Sequence, residues 1–410
     1  MPNFSTSHIL RSLRHRNFRL LMIGAFLSTA GDFMQNIAQS WLVWHVTRSP
    51  LLLGVVGFFD TLPRLLFGAL GGAVADRMDR RRLLMITQTA GMLQALVYWV
   101  AVYFDFIAVW HIIVLAFFLG AVNTLNQTAR QSLVNTLVPG EELSNAIALQ
   151  SSVFNVSRIL GPSLGGVAIA LVGVAGCFLV NALSYLGLIV TLRLMQLPAW
   201  KRRAANKGIW SEIQEGFSYV RSNRRILSIV SLSYVVALIG APYTRFLPVF
   251  ATNILHVGPA GFGLLMAAPG AGATVSALFL ASRDNSRPGV LWICLCVLGF
   301  SLFLGLFAFS HSFLLSLIFL VLVGFWFIAG RASSNTAIQM ETPPNLLGRV
   351  LSLFFMDRGL WSLGGLLIGS AASIVGIDWT IAGSAVLCAL AACALLFIYR
   401  RSAPAVRNSR

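Results

Sequence analysis

The chain has 410 residues, 57% of them hydrophobic and 10% charged, with 36 glycines and 14 prolines scattered through apolar runs. A water-soluble core of this length needs more polar surface, so the composition points to a membrane protein. The formal net charge of +17 does not signal nucleic-acid binding, because the basic residues are spread over alternate loops between apolar runs.

Apolar stretches of about 20 residues, the length that crosses roughly 30 Å of hydrocarbon as helix, lie near 20–45, 51–75, 83–104, 107–129, 146–171, 174–197, 226–250, 260–281, 289–309, 312–333, 349–374 and 378–399. The reading is therefore an all-α membrane protein with twelve transmembrane helices. Arg11, Arg14, Arg16 and Arg19 precede span 1; Arg77, Arg80, Arg81 and Arg82 follow span 2; Lys201, Arg202, Arg203, Lys207, Arg221, Arg224 and Arg225 lie between spans 6 and 7; Arg400, Arg401, Arg407 and Arg410 form the tail. By the positive-inside rule both termini and the central loop are expected on the cytoplasmic side. The expected organisation is a cytoplasmic N-terminus at 1–19, a six-helix bundle at 20–197, a linker at 198–225, a second six-helix bundle at 226–399 and a cytoplasmic tail at 400–410.

Span 1 carries Asp32 near its middle, with Gln35, Asn36 and Gln39 at helical offsets on one face. An acid near the bilayer centre costs roughly 2.5–3.5 kcal/mol on insertion scales, so such a residue is a functional candidate. Asp32 is expected to carry protons and its neighbours to line a cavity. In span 2, Asp60 and Arg64 stand one turn apart and can pair, which favours a structural role, with Asp60 a secondary proton candidate. Asn123, Asn126, Gln127 and Arg130 form a polar stripe on span 4, as do Ser152, Asn155 and Arg158 on span 5; such stripes must face protein or water rather than lipid. Arg158 is expected to act as the cation beside Asp32 or as a counter-ion for cargo. In the linker, Trp210, Ile213, Phe217 and Val220 share one face, predicting an amphipathic helix on the membrane surface. In the second half Arg245, Arg331, Asp357 and Arg358 are the ionisable candidates, with Asp357 a further proton candidate, and Tyr234 and Tyr243 are placed to stack on an aromatic ligand. Laying 120–170 over 324–374 at a constant offset of 204 superposes Gly120 on Gly324, Pro139 on Pro343, Leu143 on Leu347, Gly161 on Gly365 and Gly165 on Gly369. Two related halves with an even number of spans insert as parallel repeats, and cargo is expected between them.

Two motifs carry a resemblance. GGAVADRMDRRRLL at 71–84 resembles the loop 2–3 signature of the major facilitator superfamily through Gly72, Asp76, Arg77, Arg80 and Arg81, with Asp79 in place of its second glycine. GPSLGG at 161–166, containing Gly161, Pro162, Gly165 and Gly166, resembles the span 5 motif of that superfamily's antiporters and exporters, with Ser157 where a leading glycine is common. Pro162 leaves the Arg158 carbonyl without its helical donor, and the glycines admit close helix approach, which suits a hinge or gate. Together with GDFMQNIAQSWLV in span 1 and ARQSLVNTLVPGEEL after span 4, these features resemble the enterobactin-exporter-like branch over about 12–400.

The resemblance implies a multi-pass bacterial inner-membrane exporter of small molecules, siderophore, metabolite or drug-like, driven by exchange with protons. It also implies a cytoplasmic latch in which Asp76 faces Gly348 and Arg349 at the start of span 11. The arginine common early in span 4 of proton antiporters is absent from WHIIVLAFFLG. A uniporter or importer of the same fold is the nearest alternative; a polytopic membrane enzyme or lipid-remodelling protein is the alternative from another class, and it would need clustered histidines and acids at a membrane face. The cytoplasmic acids Glu141, Glu142, Glu212 and Glu215 are dispersed, and there is no phosphate-binding GxxxxGK[ST] loop. No cofactor, metal site or nucleic-acid partner is expected. The expected partners are the cargo, protons and the bilayer, and the chain is expected to work as a monomer.

Overall fold

The computed structural model describes residues 11–196, 217–282, 288–343 and 346–402, without the side chains of 65, 68–77, 135, 358 and 400–402. Every regular element among them is a helix. In chain order these are α1 (Arg16–Thr47), α2 (Pro50–Arg77), α3 (Arg80–Tyr103), α4 (Val109–Leu137), α5 (Leu143–Leu194), α6 (Arg224–Val235), α7 (Pro259–Ala281), α8 (Val290–Ala308), α9 (Phe313–Glu341), α10 (Leu347–Phe355), α11 (Asp357–Val375) and α12 (Ile377–Ser402). Nine helical stretches among the described residues are long and apolar enough to cross a membrane. Most of the linker helix expected at 198–225 lies outside the described residues.

Several boundaries follow from single residues. Asp79 caps α3, its carboxylate accepting from the amides of Arg81 at 2.7 Å and Arg82 at 3.2 Å; the residue that departs from the loop 2–3 signature thus satisfies two of the free amides at a helix start. Asn223 does the same for α6. The 52-residue α5 breaks at Gly173, with φ 74° and ψ 175°. That conformation is open essentially to glycine alone.

Two expected spans are interrupted. The helix expected over 226–250 gives way to a π turn at Val236–Gly240 and a 3-10 turn at Ala241–Phe246, because Pro242 has no N–H to return to Leu238. Gly364 of α11 packs against the freed Leu238 carbonyl, so closely that a side chain there would collide with it. The helix expected over 349–374 is divided at Met356 into α10 and α11.

The chain forms two compact units: Met1–Arg48 with Val56–Asn206 and Val257–Ala267, and Ser49–Val55 with Lys207–His256 and Ala268–Arg410. Each unit thus contains a short segment from the other half of the sequence. In the first, α1 packs along α5 through Phe18, Leu21, Leu188 and Leu192, with Leu84 of α3 and Leu133 of α4 closing the cluster. The turn at Arg11–Arg14 is fastened to this unit: Arg11 and His15 contact Glu142 at 2.9 and 3.0 Å, and the Ser12 amide donates to Asn145 Oδ1 at 3.1 Å. In the second unit α8 packs against α9 and α12, with Phe300 and Phe307 fully enclosed.

Candidate functional site

The polar face of α1 enters the interior of the first unit. Asp32 is partly buried and accepts a hydrogen bond at 2.5 Å from the Tyr185 hydroxyl of α5. One turn on, Gln35 is 1% exposed; it accepts from Asn181 Nδ2 at 2.7 Å and donates to Gln94 Oε1 at 2.9 Å, and Gln94 donates in turn to the Leu115 carbonyl at 3.2 Å. One turn back, Thr29 accepts from Arg130 Nη1 at 3.1 Å, and Ser28 donates to Gln88 at 3.0 Å. Side chains of α3, α4 and α5 are thus bonded to the face of α1 that carries Asp32.

The cation whose charge acts on Asp32 is Arg130 of α4. Arg158, the cation the sequence suggests beside Asp32, is partly buried on α5.

The other sequence candidates divide. Gln39 is buried like Gln35, but Asn36 is exposed. On α4, Asn123 is partly buried, Asn126 is buried with no hydrogen-bond partner for Oδ1 among the described residues, and Gln127 is exposed. Asp60 acts electrostatically on Tyr98 of α3, and Arg64 is exposed. Tyr234 donates to the Leu353 carbonyl at 2.6 Å and Arg245 lies beside Gly365. Arg331 and Asp357 form an ion pair. Of the loop 2–3 residues, Arg80 donates to the Ser132 carbonyl at 2.9 Å and Arg81 to the Arg193 carbonyl at 3.0 Å. The side chains of Asp76 and Arg77 lie outside the described residues, as does any contact of Asp76 with the start of span 11; Arg349 is partly buried there.

The glycines of the α5 motif serve different neighbours. A Cβ on Gly161 would stand 2.6 Å from Phe33 Cβ, and one on Gly165 3.2 Å from Met34 Cα, so both pack on α1. A Cβ on Gly166 would stand 2.6 Å from the Pro259 carbonyl and 2.7 Å from Gly263 Cα of α7. A matching contact occurs in the second unit, where Gly54 meets the Gly365 carbonyl and Gly369 the Pro50 carbonyl. Pro50 and Gly54 share the spacing of Pro259 and Gly263.

No motif in the sequence marks Tyr185, Asn181, Gln88 or Gln94. Asn181, Ser184 and Tyr185 recur at helical spacing inside an apolar run, the same signal that exposed Asp32.

The description "Transmembrane secretion effector" belongs to the family model that matches residues 7–408. The staphyloferrin A transporter of Staphylococcus aureus is 25% identical over 374 residues, covering 89% of this chain and 92% of that protein. The multidrug efflux pump Tap of Mycolicibacterium fortuitum is 28% identical over 378 residues, with 88% and 90% covered. The enterobactin exporter EntS of Citrobacter koseri is 27% identical over 367 residues, with 85% and 81% covered. Among solved structures, the nucleoside transporter NupG superposes with a TM-score of 0.75 at 16% identity, over 94% of this chain and 99% of that one, which shows the fold alone. The matched family and the apolar helices make this a multi-pass membrane protein, and the chain belongs to the transmembrane secretion effector family of the major facilitator superfamily, whose members are transporters rather than enzymes.

Proposed function

We propose that the chain is a secondary active exporter of small molecules that works by alternating access in exchange for protons, with Asp32 as the principal proton carrier. The observation that carries this reading is a partly buried carboxyl inside an apolar bundle, bonded to Tyr185, facing the charge of Arg130 and one turn from the Gln35 network, an arrangement whose insertion cost calls for a function. The export direction is supported by relatives named as a siderophore exporter and a multidrug efflux pump.

The proposed architecture is twelve spans in two parallel six-helix repeats, at 20–197 and 226–399, joined by the linker. Support comes from the recurrence of the proline–glycine spacing of Pro259 and Gly263 in Pro50 and Gly54, each pair packed on a glycine of another helix. The break at Gly173 divides one 55-residue apolar stretch into two spans. Both termini are assigned to the cytoplasmic side of the inner membrane, and the monomer is the working unit.

Everted membrane vesicles test this. Siderophores and hydrophobic drugs are screened with and without an acidic lumen. The wild-type protein should accumulate its cargo only with the gradient, and Asp32→Asn should retain downhill flux while losing accumulation. Full gradient-driven accumulation by that variant removes Asp32 from the mechanism. Gradient-independent flux in the wild type favours a uniporter or importer.

A further inference from the structure

Three helix ends of the first unit bring arginines together where the apolar runs start or stop. Arg16 and Arg19 stand in the first turn of α1, Arg81 and Arg82 in that of α3, and Arg193 in the last turn of α5, which packs against both other helices. Two of the guanidinium groups are held by neighbouring carbonyls at the end of α5: Arg81 Nη2 donates to the Arg193 carbonyl at 3.0 Å and Arg16 Nη1 to that of Leu194 at 3.1 Å. Each spends one of its several N–H donors there and keeps the others. Among the described residues none of the five arginines is paired with an acid. Glu142 is taken by Arg11 and His15, and Asp79 by the amides that it caps.

This placement works against helix stability. A cation in the first turn faces the positive end of the helix dipole, and neither α1 nor α3 has an acid in its first turn to offset it. Membrane orientation needs only that the arginines lie on one side; it does not require three helix ends, far apart in sequence, to hold theirs unpaired at one rim. One turn deeper on the same faces the side chains are apolar and exposed. Ile23 follows Arg19 by four residues, Ile86 follows Arg82 by four, and Val190 precedes Arg193 by three. A positive edge above an apolar wall matches an amphiphile with an anionic head and hydrocarbon tails. A soluble phosphate or an acidic protein segment matches the edge alone.

We propose that this rim holds the phosphate head group of an anionic phospholipid, whose acyl chains run along the apolar wall. Arg16 and Arg81, already oriented by main-chain carbonyls, grip the phosphate oxygens with their remaining N–H groups. Arg19, Arg82 and Arg193 add attraction at the membrane surface. Binding here requires the chain to span the bilayer, but neither cargo nor proton exchange.

The test is titration of the purified, delipidated full chain in detergent with phosphatidylglycerol and, separately, with zwitterionic phosphatidylcholine of the same acyl chains, bound lipid being counted by native mass spectrometry. Phosphatidylglycerol should bind about tenfold or more tightly. Arg16→Gln and Arg81→Gln should each weaken it by about fivefold and leave phosphatidylcholine near wild type. Arg11→Gln makes the same change in net charge at a side chain already paired with Glu142, and its affinity should stay near wild type. Equal binding of the two lipids overturns the proposal. So does a loss in Arg11→Gln as large as that in Arg81→Gln, the mark of a diffuse field rather than a site. Displacement by inorganic phosphate beyond that by chloride of equal ionic strength would assign the rim to free phosphate, and displacement by polyglutamate to an acidic protein segment; either overturns the lipid. If Arg16→Gln or Arg81→Gln does not fold, Arg82→Gln and Arg193→Gln, at exposed residues, replace them with the same expected loss. Because no transport is measured, export can fail in vesicles while lipid binding stands, and lipid binding can fail while export persists.

Discussion

If the chain works by alternating access, as proposed, some close helix contacts open in every cycle while others never do, and the α5 motif offers a test of each kind. A methyl at Gly166 would stand 2.6 Å from the Pro259 carbonyl and 2.7 Å from Gly263 Cα, against ordinary separations of about 3.5–4.0 Å. Both obstacles are backbone, so the helices must part by roughly 1 Å, at an overpacking cost of about 1–3 kcal/mol. If the contact belongs to one conformation only, Gly166→Ala shifts the population by about five- to 150-fold away from it. Gly161→Ala is the control. Its methyl would meet Phe33 Cβ at 2.6 Å and the Ala30 carbonyl at 2.8 Å, a similar load placed on α1 within the bundle. Hydrogen exchange over 257–267 should rise in Gly166→Ala with turnover altered, whereas Gly161→Ala should lower the melting temperature and leave that exchange near wild type. Equal exchange in the two variants, or wild-type turnover in Gly166→Ala, would refute the assignment of Gly166 to a moving contact.

Two further outcomes test the site and the fold. Tyr185→Phe removes the 2.5 Å hydrogen bond to Asp32; a bond to a charged group contributes about 1.5–3 kcal/mol, so the pH midpoint of efflux should move by about one to two units, and an unmoved midpoint would separate Tyr185 from proton handling. Asp79→Ala should lower thermal stability by about 0.5–2 kcal/mol through loss of the α3 cap, with Asp79→Ser recovering most of it; equal melting of the alanine and serine variants would show that the cap does not matter.

Much of this protein was legible because the relevant physics is local. Helix periodicity groups Asp32, Gln35, Asn36 and Gln39 on one face, since 3.6 residues per turn depends on the backbone alone, but only packing decides which of the four turn inward. The division of α5 fell in the gap between the runs 146–171 and 174–197, where Gly173 takes a conformation that other residues resist. The chemistry of the site depended on residues far apart in sequence. Tyr185 reaches Asp32 across 153 positions and Arg130 reaches Thr29 across 101, and no local rule selects them over Arg158. Asn36 follows Gln35 by one residue, which turns it about 100° around the helix and out of the interior. The same limit applies to the motif glycines: the sequence announced close approach, but only packing decided that Gly161 meets α1 and Gly166 meets α7. Local backbone geometry determines which residues share a face; which face meets which neighbour is a property of the packed chain.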